Sequence, residues 1–377
     1  MRKTKLIIVM SVVDIIVDLL KIKSITGYED DLKKYIIDFI KDRLNFQVIR
    51  NNIVAYPKND RGRYLVAFVG HIDTVDNANN KDGIMEGDKI FGLGASDMKA
   101  GIAVMLSLIN KFSNLPLLWV FYDKEEGKYN DNGLNLVFQN FGDLLMKPNF
   151  AIILEPTSNN IEMGCNGVIN YGIWIRGKSG HSARRNTYQN PFYLSLPIIK
   201  YLESYQPEEY KKVIVVADKS YELSFVSNAV ITQIKGLNDL YTENGFRNVV
   251  PEYCFLNVNV RYTPNYEFAD FNEYFRKNLG KYEIFKLDVT DYAPAGKIVI
   301  NKYLEYFLDW YLNNGDFGVF AKQAWTDVAR FTLHGIPAIN LGPGEPTQAH
   351  QVNEYTHISK MEQLELILSK YLMSLRI

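Results

Sequence analysis

The sequence predicts an α/β fold carrying a smaller α+β insertion, and three observations lead there. Apolar runs at 64–69, Leu117–Tyr122 and 150–154 are hydrophobic on both faces, as the central strands of a parallel sheet are. Segments of helical spacing alternate with these runs. Between residues 166 and 282 the pattern becomes strand–helix–strand–strand–helix–strand, with half-exposed alternation. A chain of 377 residues is also long for one core. The expected division is 1–165 with 283–377 as one α/β domain, and 166–282 as the insertion.

In chain order, residues 11–20 place Val12, Val13, Ile15, Ile16, Leu19 and Leu20 at helical spacing. SITGYE at 24–29 is turn chemistry, and Asp30 is expected to cap a second helix with Leu32, Tyr35, Ile36, Phe39 and Ile40 on one face. Residues 47–56 alternate as one strand and stop at Pro57. Residues 76–88 read as polar loop, and 100–112 as a helix after a Gly-rich turn. A further helix is expected at 134–145. Within the insertion, strands are expected at 168–176, 213–216, 223–235 and 253–262, and helices at 191–204 and 268–279. From 285 the α/β character resumes with a helix at 302–313, a strand at 337–341 and a C-terminal helix from Ser359.

Composition narrows the function class. Apolar residues are 47% and charged residues 23%, those of an ordinary globular protein, and the formal net charge of −1 gives no overall field for nucleic acid or an anionic membrane. The only cysteines are Cys165 and Cys254, which argues against a disulfide scaffold and for a reducing cytoplasm. Arg2, Lys3 and Lys5 precede an apolar run at 6–13 that resembles a secretion signal. The run is short, Asp14 follows it and no A-x-A pattern appears, so a cytoplasmic protein is expected, with Met10 as an alternative start. No stretch is long enough to span a bilayer.

Polar clusters follow the apolar strands: His71 and Asp73, then Glu125 and Glu126, then Glu155. Open α/β sheets bind ligands outside the carboxyl ends of their strands, so these clusters can converge. Asp97 sits in a turn before a helix, and His350 follows a fourth strand through GPG. Two His and several acids without Cys suit Zn²⁺, Co²⁺ or Mn²⁺. Each residue has a plainer reading: a buried His held by a hydrogen bond, or an acid capping a helix. GLGASD carries Asp97 where a dinucleotide fingerprint needs its third Gly, which excludes that reading. Adjacent Glu125 and Glu126 are costly to bury ionised without a cation.

The motifs GHIDTV, GLGASDMKAG, DKEEG, EPT, GKSGHSAR, NVVPEYCFLNVNVRYTP, TDVARF and GPGEPTQAHQVNEY occur in this order along the chain. In them the chain resembles the M20 family of co-catalytic metallopeptidases and amidohydrolases, within it the succinyl-diaminopimelate desuccinylase and acetylornithine deacetylase branch. The resemblance implies a di-zinc peptidase-like α/β domain with an inserted ferredoxin-like α+β domain serving dimerisation or as a lid. It implies two Zn²⁺, replaceable by Co²⁺ or Mn²⁺: one held by His71, Asp97 and Glu155, the other by Asp97, Glu126 and His350. Asp73 would orient His71, Glu125 would be the general base, and the Asp97–Met98 peptide would be cis. His181 would serve the oxyanion in a partner subunit's site; the plainer alternative is a surface His beside Arg184 and Arg185. Arg261 and Asn248 would bind a substrate carboxylate. Thr326, Asp327 and Arg330 would line the pocket, although Arg330 also has ion-pair spacing to Asp327. His334 and His357 match no motif.

The implied reaction is metal-dependent hydrolysis of the amide of an N-acylated amino acid. N-succinyl-LL-2,6-diaminopimelate, giving succinate and LL-diaminopimelate for lysine biosynthesis, is the first candidate. N-acetylornithine and other N-acyl amino acids or peptides are near alternatives, and an inactive relative acting as a binding module is the alternative of another class. The implied partner is a second copy of the chain, joined through the insertion.

Overall fold

An eight-stranded sheet crosses the molecule in the order Leu44–Ile49, Asn52–Pro57, Leu117–Tyr122, Val66–His71, Ala151–Ile153, Ala338–Asn340, Ile161–Met163 and Val319–Ala321. The computed structural model describes residues 10–76 and 82–375; residues 6–9 of the signal-like run and the basic residues before it lie outside that range. The four strands from Leu117–Tyr122 to Ala338–Asn340 are mutually parallel. Their side chains alternate between two cores. Val66, Phe68, Leu117, Trp119 and Ile152 face one, with the helices Val12–Lys21, Ala100–Phe112 and Ile358–Ser374. Ala67, Val69, Leu118, Val120 and Ile153 face the other, with Gly133–Leu145 and Val328–Leu333. Burial on both faces is why these strands read as unbroken apolar runs.

Several elements depart from the sequence reading. Residues 47–56 are not one strand: the chain reverses at Arg50, whose φ is 56°, and the halves pair antiparallel. Asp30 is the first residue of its helix, and Glu29 occupies the cap position without a side-chain cap bond. The polar segment before Asp88 includes the strand Ile84–Glu86, paired with Lys89–Phe91. Ile161–Met163 and Val319–Ala321 are three-residue strands, too short to leave a periodicity.

The second sheet is four-stranded and antiparallel, ordered Asn228–Leu237, Tyr253–Tyr262, Gly167–Arg176 and Lys286–Ala293. With the helices Pro191–Glu203 and Phe268–Leu279 it has ferredoxin-like connectivity. Two of its features differ from the expected layout. Lys286–Ala293 belongs to this sheet, although it lies past residue 282. Residues 223–235 are split at Ser227: Lys219–Val226 pairs with Glu209–Val216 in a separate hairpin. That hairpin packs Ile214, Val216, Leu223 and Phe225 into the core of the larger sheet.

Candidate metal centre

The level register of the parallel strands brings the polar clusters together. His71 ends its strand opposite Tyr122, so the loops that follow leave the sheet side by side. His71 Nε2 lies 3.1 Å from Asp97 Oδ1 and 3.8 Å from Glu155 Oε1. His350 Nε2 lies 3.0 Å from Glu126 Oε1 and 3.8 Å from Asp97 Oδ2. Asp97 therefore turns one oxygen toward each histidine. Ligand atoms of His71, Asp97 and Glu126 all fall within 4.8 Å of one another.

The electrostatics of the protein alone are unfavourable. Burial pushes Glu155 up to about 8, and the nearby Asp97 charge adds to the shift. Burial likewise raises Glu125 and Glu126. Burial opposes ionisation of Asp97 too, but the hydrogen bond and charge of His71 hold it below the usual carboxylate range. The hydrogen bond to Glu126 lifts His350 to about 9. Glu155 Oε1 is buried with no hydrogen-bond partner. Clustered acids and an orphaned carboxylate oxygen fit bound divalent cations, and a donor set of imidazole and carboxylate suits Zn²⁺, Co²⁺ or Mn²⁺.

Asp73 does more than face His71. His71 Nδ1 is 3.0 Å from the Asp73 backbone carbonyl and 3.5 Å from its carboxylate. The carboxylate accepts from the Glu125 N–H at 2.9 Å, the Glu126 N–H at 3.1 Å and the Thr26 hydroxyl at 2.9 Å. Asp73 thus fixes the loop that carries both glutamates. A residue the motif reading passed over fixes the other loop. Glu354 accepts from the backbone N–H groups of Gly94 at 2.8 Å, Ser96 at 2.7 Å and Asp97 at 2.8 Å. Gly94, at φ 79°, supplies the left-handed turn this clasp needs. The Asp97–Met98 peptide is cis. Glu354 lies inside GPGEPTQAHQVNEY, and its burial and three N–H partners distinguish it from a surface acid.

A cavity of about 640 Å³ opens on Asp97, Glu125, Glu126, Glu155 and His350, and Arg261 is in its wall. Other expected residues lie elsewhere. Thr326 is buried and its hydroxyl donates to Asn340 Oδ1 at 2.8 Å; Trp325, its neighbour, lines the cavity instead. Arg330 is Asp327's buried ion-pair partner at 2.6 Å, as its spacing allowed. His181 is exposed on a two-residue strand paired with Val249–Val250, and the Asn248 carbonyl accepts from Ser182 beside it. The two residues are neighbours, but neither lines this chain's cavity. His334 stacks on Phe138 and His357 Nδ1 sits 3.2 Å from Asp88. Both cysteines are buried and free.

Known proteins resemble this chain over most of its length. A family model described as peptidase family M20/M25/M40 matches residues 67–374. The succinyl-diaminopimelate desuccinylase of Corynebacterium glutamicum is 29% identical over 367 residues, covering 94% of each chain. That of Rickettsia massiliae is 26% identical over 405 residues, covering 95% of this chain and 98% of the relative. Among solved structures, an M20 family metallo-carboxypeptidase from Sulfolobus solfataricus superposes with a TM-score of 0.71 at 16% identity, covering 96% of this chain and 98% of the other.

Proposed function

Because the chain belongs to peptidase family M20, we propose that it hydrolyses the amide bond of N-acylated amino acids, with N-succinyl-LL-2,6-diaminopimelate as the leading substrate. The observation that carries this reading is the cluster of His71, Asp97, Glu126, Glu155 and His350 at one end of a cavity that also holds Glu125 and Arg261. In this reading His71, Asp97 and Glu155 would hold one Zn²⁺, and Asp97, Glu126 and His350 would hold a second, with Co²⁺ or Mn²⁺ able to replace them. Bound cations supply Lewis acidity, which makes water a nucleophile near neutral pH and polarises the amide carbonyl.

The chain's own residues do the rest. Glu125, its backbone fixed by Asp73, accepts the proton of the attacking water and returns it to the leaving amine. Arg261 forms no ion pair among the described residues, so its guanidinium is free to take a substrate carboxylate. His181 and Asn248 sit together on a ribbon and neither lines this chain's cavity, which supports delivery to a second subunit's site. The surface for such a dimer is the edge strand Asn228–Leu237, which exposes Val230 and Ile234, beside Tyr193 and Leu196 on the adjoining helix. Among the described residues no helix is long and apolar enough to cross a membrane. Two free buried thiols suit a reducing cytoplasm.

The test is a substrate panel of N-succinyl-LL-2,6-diaminopimelate, N-acetyl-L-ornithine, N-acetyl-L-lysine and simple dipeptides, each assayed with Zn²⁺ and Co²⁺. The highest kcat/KM is expected on the succinylated substrate. Turnover of dipeptides alone would replace this reading with a peptidase, and turnover of nothing would favour a binding module.

A further inference from the structure

One wall of the cavity is the open face of the four-stranded sheet. Along Tyr253–Tyr262 the residues alternate, so that Val258, Val260 and Tyr262 join the core under the helices while Asn259 and Arg261 face the cavity. Asn170 pairs with Asn259 on one side and with Asp291 on the other, and Asn259 Nδ2 donates to Asn170 Oδ1 at 2.9 Å. Asp291, Asn170, Asn259 and Arg261 therefore make a continuous polar strip, and all four line the cavity.

Asp291 reaches that strip through a break in the ladder. The register steps from Val289 opposite Tyr171 to Asp291 opposite Asn170, leaving Thr290 as the extra residue. An unbroken ladder would set Thr290 opposite Asn170 and turn Asp291 toward the helices. Bulges re-aim side chains in this way beside active sites. The strip thus presents one anion and one cation. Neither Asp291 nor Arg261 forms an ion pair with any described residue, including each other. Asp291 is half-buried and accepts backbone hydrogen bonds from Tyr129 and Tyr292, with the Lys128 charge nearby, so the chain meets part of its charge and a ligand cation in the cavity would meet more.

We propose that this strip selects substrates bearing a free ammonium beyond the scissile amide, with Asp291 taking the ammonium and Arg261 a carboxylate. The inference rests on the amide-hydrolase reading and narrows it to N-acyl diamino acids. Asn170 and Asn259 supply further hydrogen bonds at the same level of the sheet. A simple dipeptide or an N-acyl aliphatic amino acid brings no cation to the Asp291 carboxylate, and a site built around a charge discriminates against such ligands.

The experiment compares matched pairs that differ only in the ammonium: N-succinyl-LL-2,6-diaminopimelate against N-succinyl-L-2-aminopimelate, and N-acetyl-L-ornithine against N-acetyl-L-norvaline. Wild-type enzyme should favour the amine-bearing member of a pair by at least tenfold in kcat/KM. Asp291→Asn should lower kcat/KM on that member at least tenfold, chiefly through KM, and change the other less than twofold. Equal effects on both members, or a wild type without preference, would overturn the inference and leave the amide-hydrolase reading standing. If wild type hydrolyses no pair, that reading fails instead. Calorimetric binding of diaminopimelate against 2-aminopimelate then decides the strip alone: tighter binding of the diamine supports it and equal binding overturns it.

Discussion

Replacing Glu354 by alanine should loosen the metal centre from outside it. Its side chain is absent from the cavity lining, and its carboxylate takes three backbone N–H groups in the loop that carries Asp97. Hydrogen bonds to a charged acceptor contribute about 1.5–3 kcal/mol each, so three set a ceiling of about 4.5–9 kcal/mol. Water entering the truncated site restores part of that, and about 3 kcal/mol of lost stability is the expected net. Burial raises the Glu354 carboxyl to about 7, so the measurement belongs at pH 8, where the group is ionised. Asp97 faces both histidines, so its displacement should also weaken metal binding, by about 10–100-fold, the usual effect of removing a residue that orients a ligand. Thermal unfolding of the metal-free protein reads the first quantity, and competition with a chelating dye reads the second. A Glu354→Ala protein that lost stability but bound Zn²⁺ with wild-type affinity would refute the claim that Glu354 positions Asp97.

Further predictions concern the remaining groups. Glu125→Gln should retain both metals by elemental analysis and lose about 10²–10⁴ in kcat, the span of general-base catalysis; near-normal turnover would remove Glu125 from that role. His181→Ala should cut kcat far more than metal affinity, and on the proposed dimer mixing it with Glu125→Gln should restore activity, because one site of each hybrid would be whole; no recovery on mixing would refute delivery of His181 to a partner's site. Metal-free protein should lose stability as pH rises. Glu155 has its folded value raised to about 8, so its stabilising contribution is full below the unfolded value of 4.5 and is lost as pH climbs through 8. His350, raised to about 9, acts with the same sign over a higher window. Buried Glu155 should carry most of a fall on the order of a few kcal/mol by thermal unfolding between pH 5 and 9, because solvent screens the exposed His350, and Zn²⁺ should abolish it. Cys165, pushed up to about 11 by burial, should resist a thiol reagent at pH 8 until the protein is unfolded.

Much of the site was legible because chemistry and strand pattern coincide in it. His71, Glu125, Glu126 and Glu155 each follow an apolar run, and the sheet brings those run ends together. What stayed hidden depended on pairing between distant segments. Glu354 looks like any polar loop residue until its three N–H partners, about 260 positions earlier, are seen. Asp291 was overlooked because a strand with an extra residue breaks the period that would have aimed it. The stretch at 223–235 looked continuous because apolar residues carry through Ser227, while its two parts pair in different sheets. Thr326 and Arg330 were expected in the pocket from their motif, but they serve hydrogen bonds and an ion pair behind its wall.

The central claim is that His71, Asp97, Glu126, Glu155 and His350 assemble a two-cation centre for amide hydrolysis. Titrating Zn²⁺ into chelator-treated protein, with succinate release from N-succinyl-LL-2,6-diaminopimelate and bound metal measured on the same samples, tests it most directly. Activity should be absent without metal and should rise to a plateau at two Zn²⁺ per chain, with Asp97→Ala unable to reach that stoichiometry. Hydrolysis that persists after complete metal removal, or full metal loading and activity in Asp97→Ala, would contradict it.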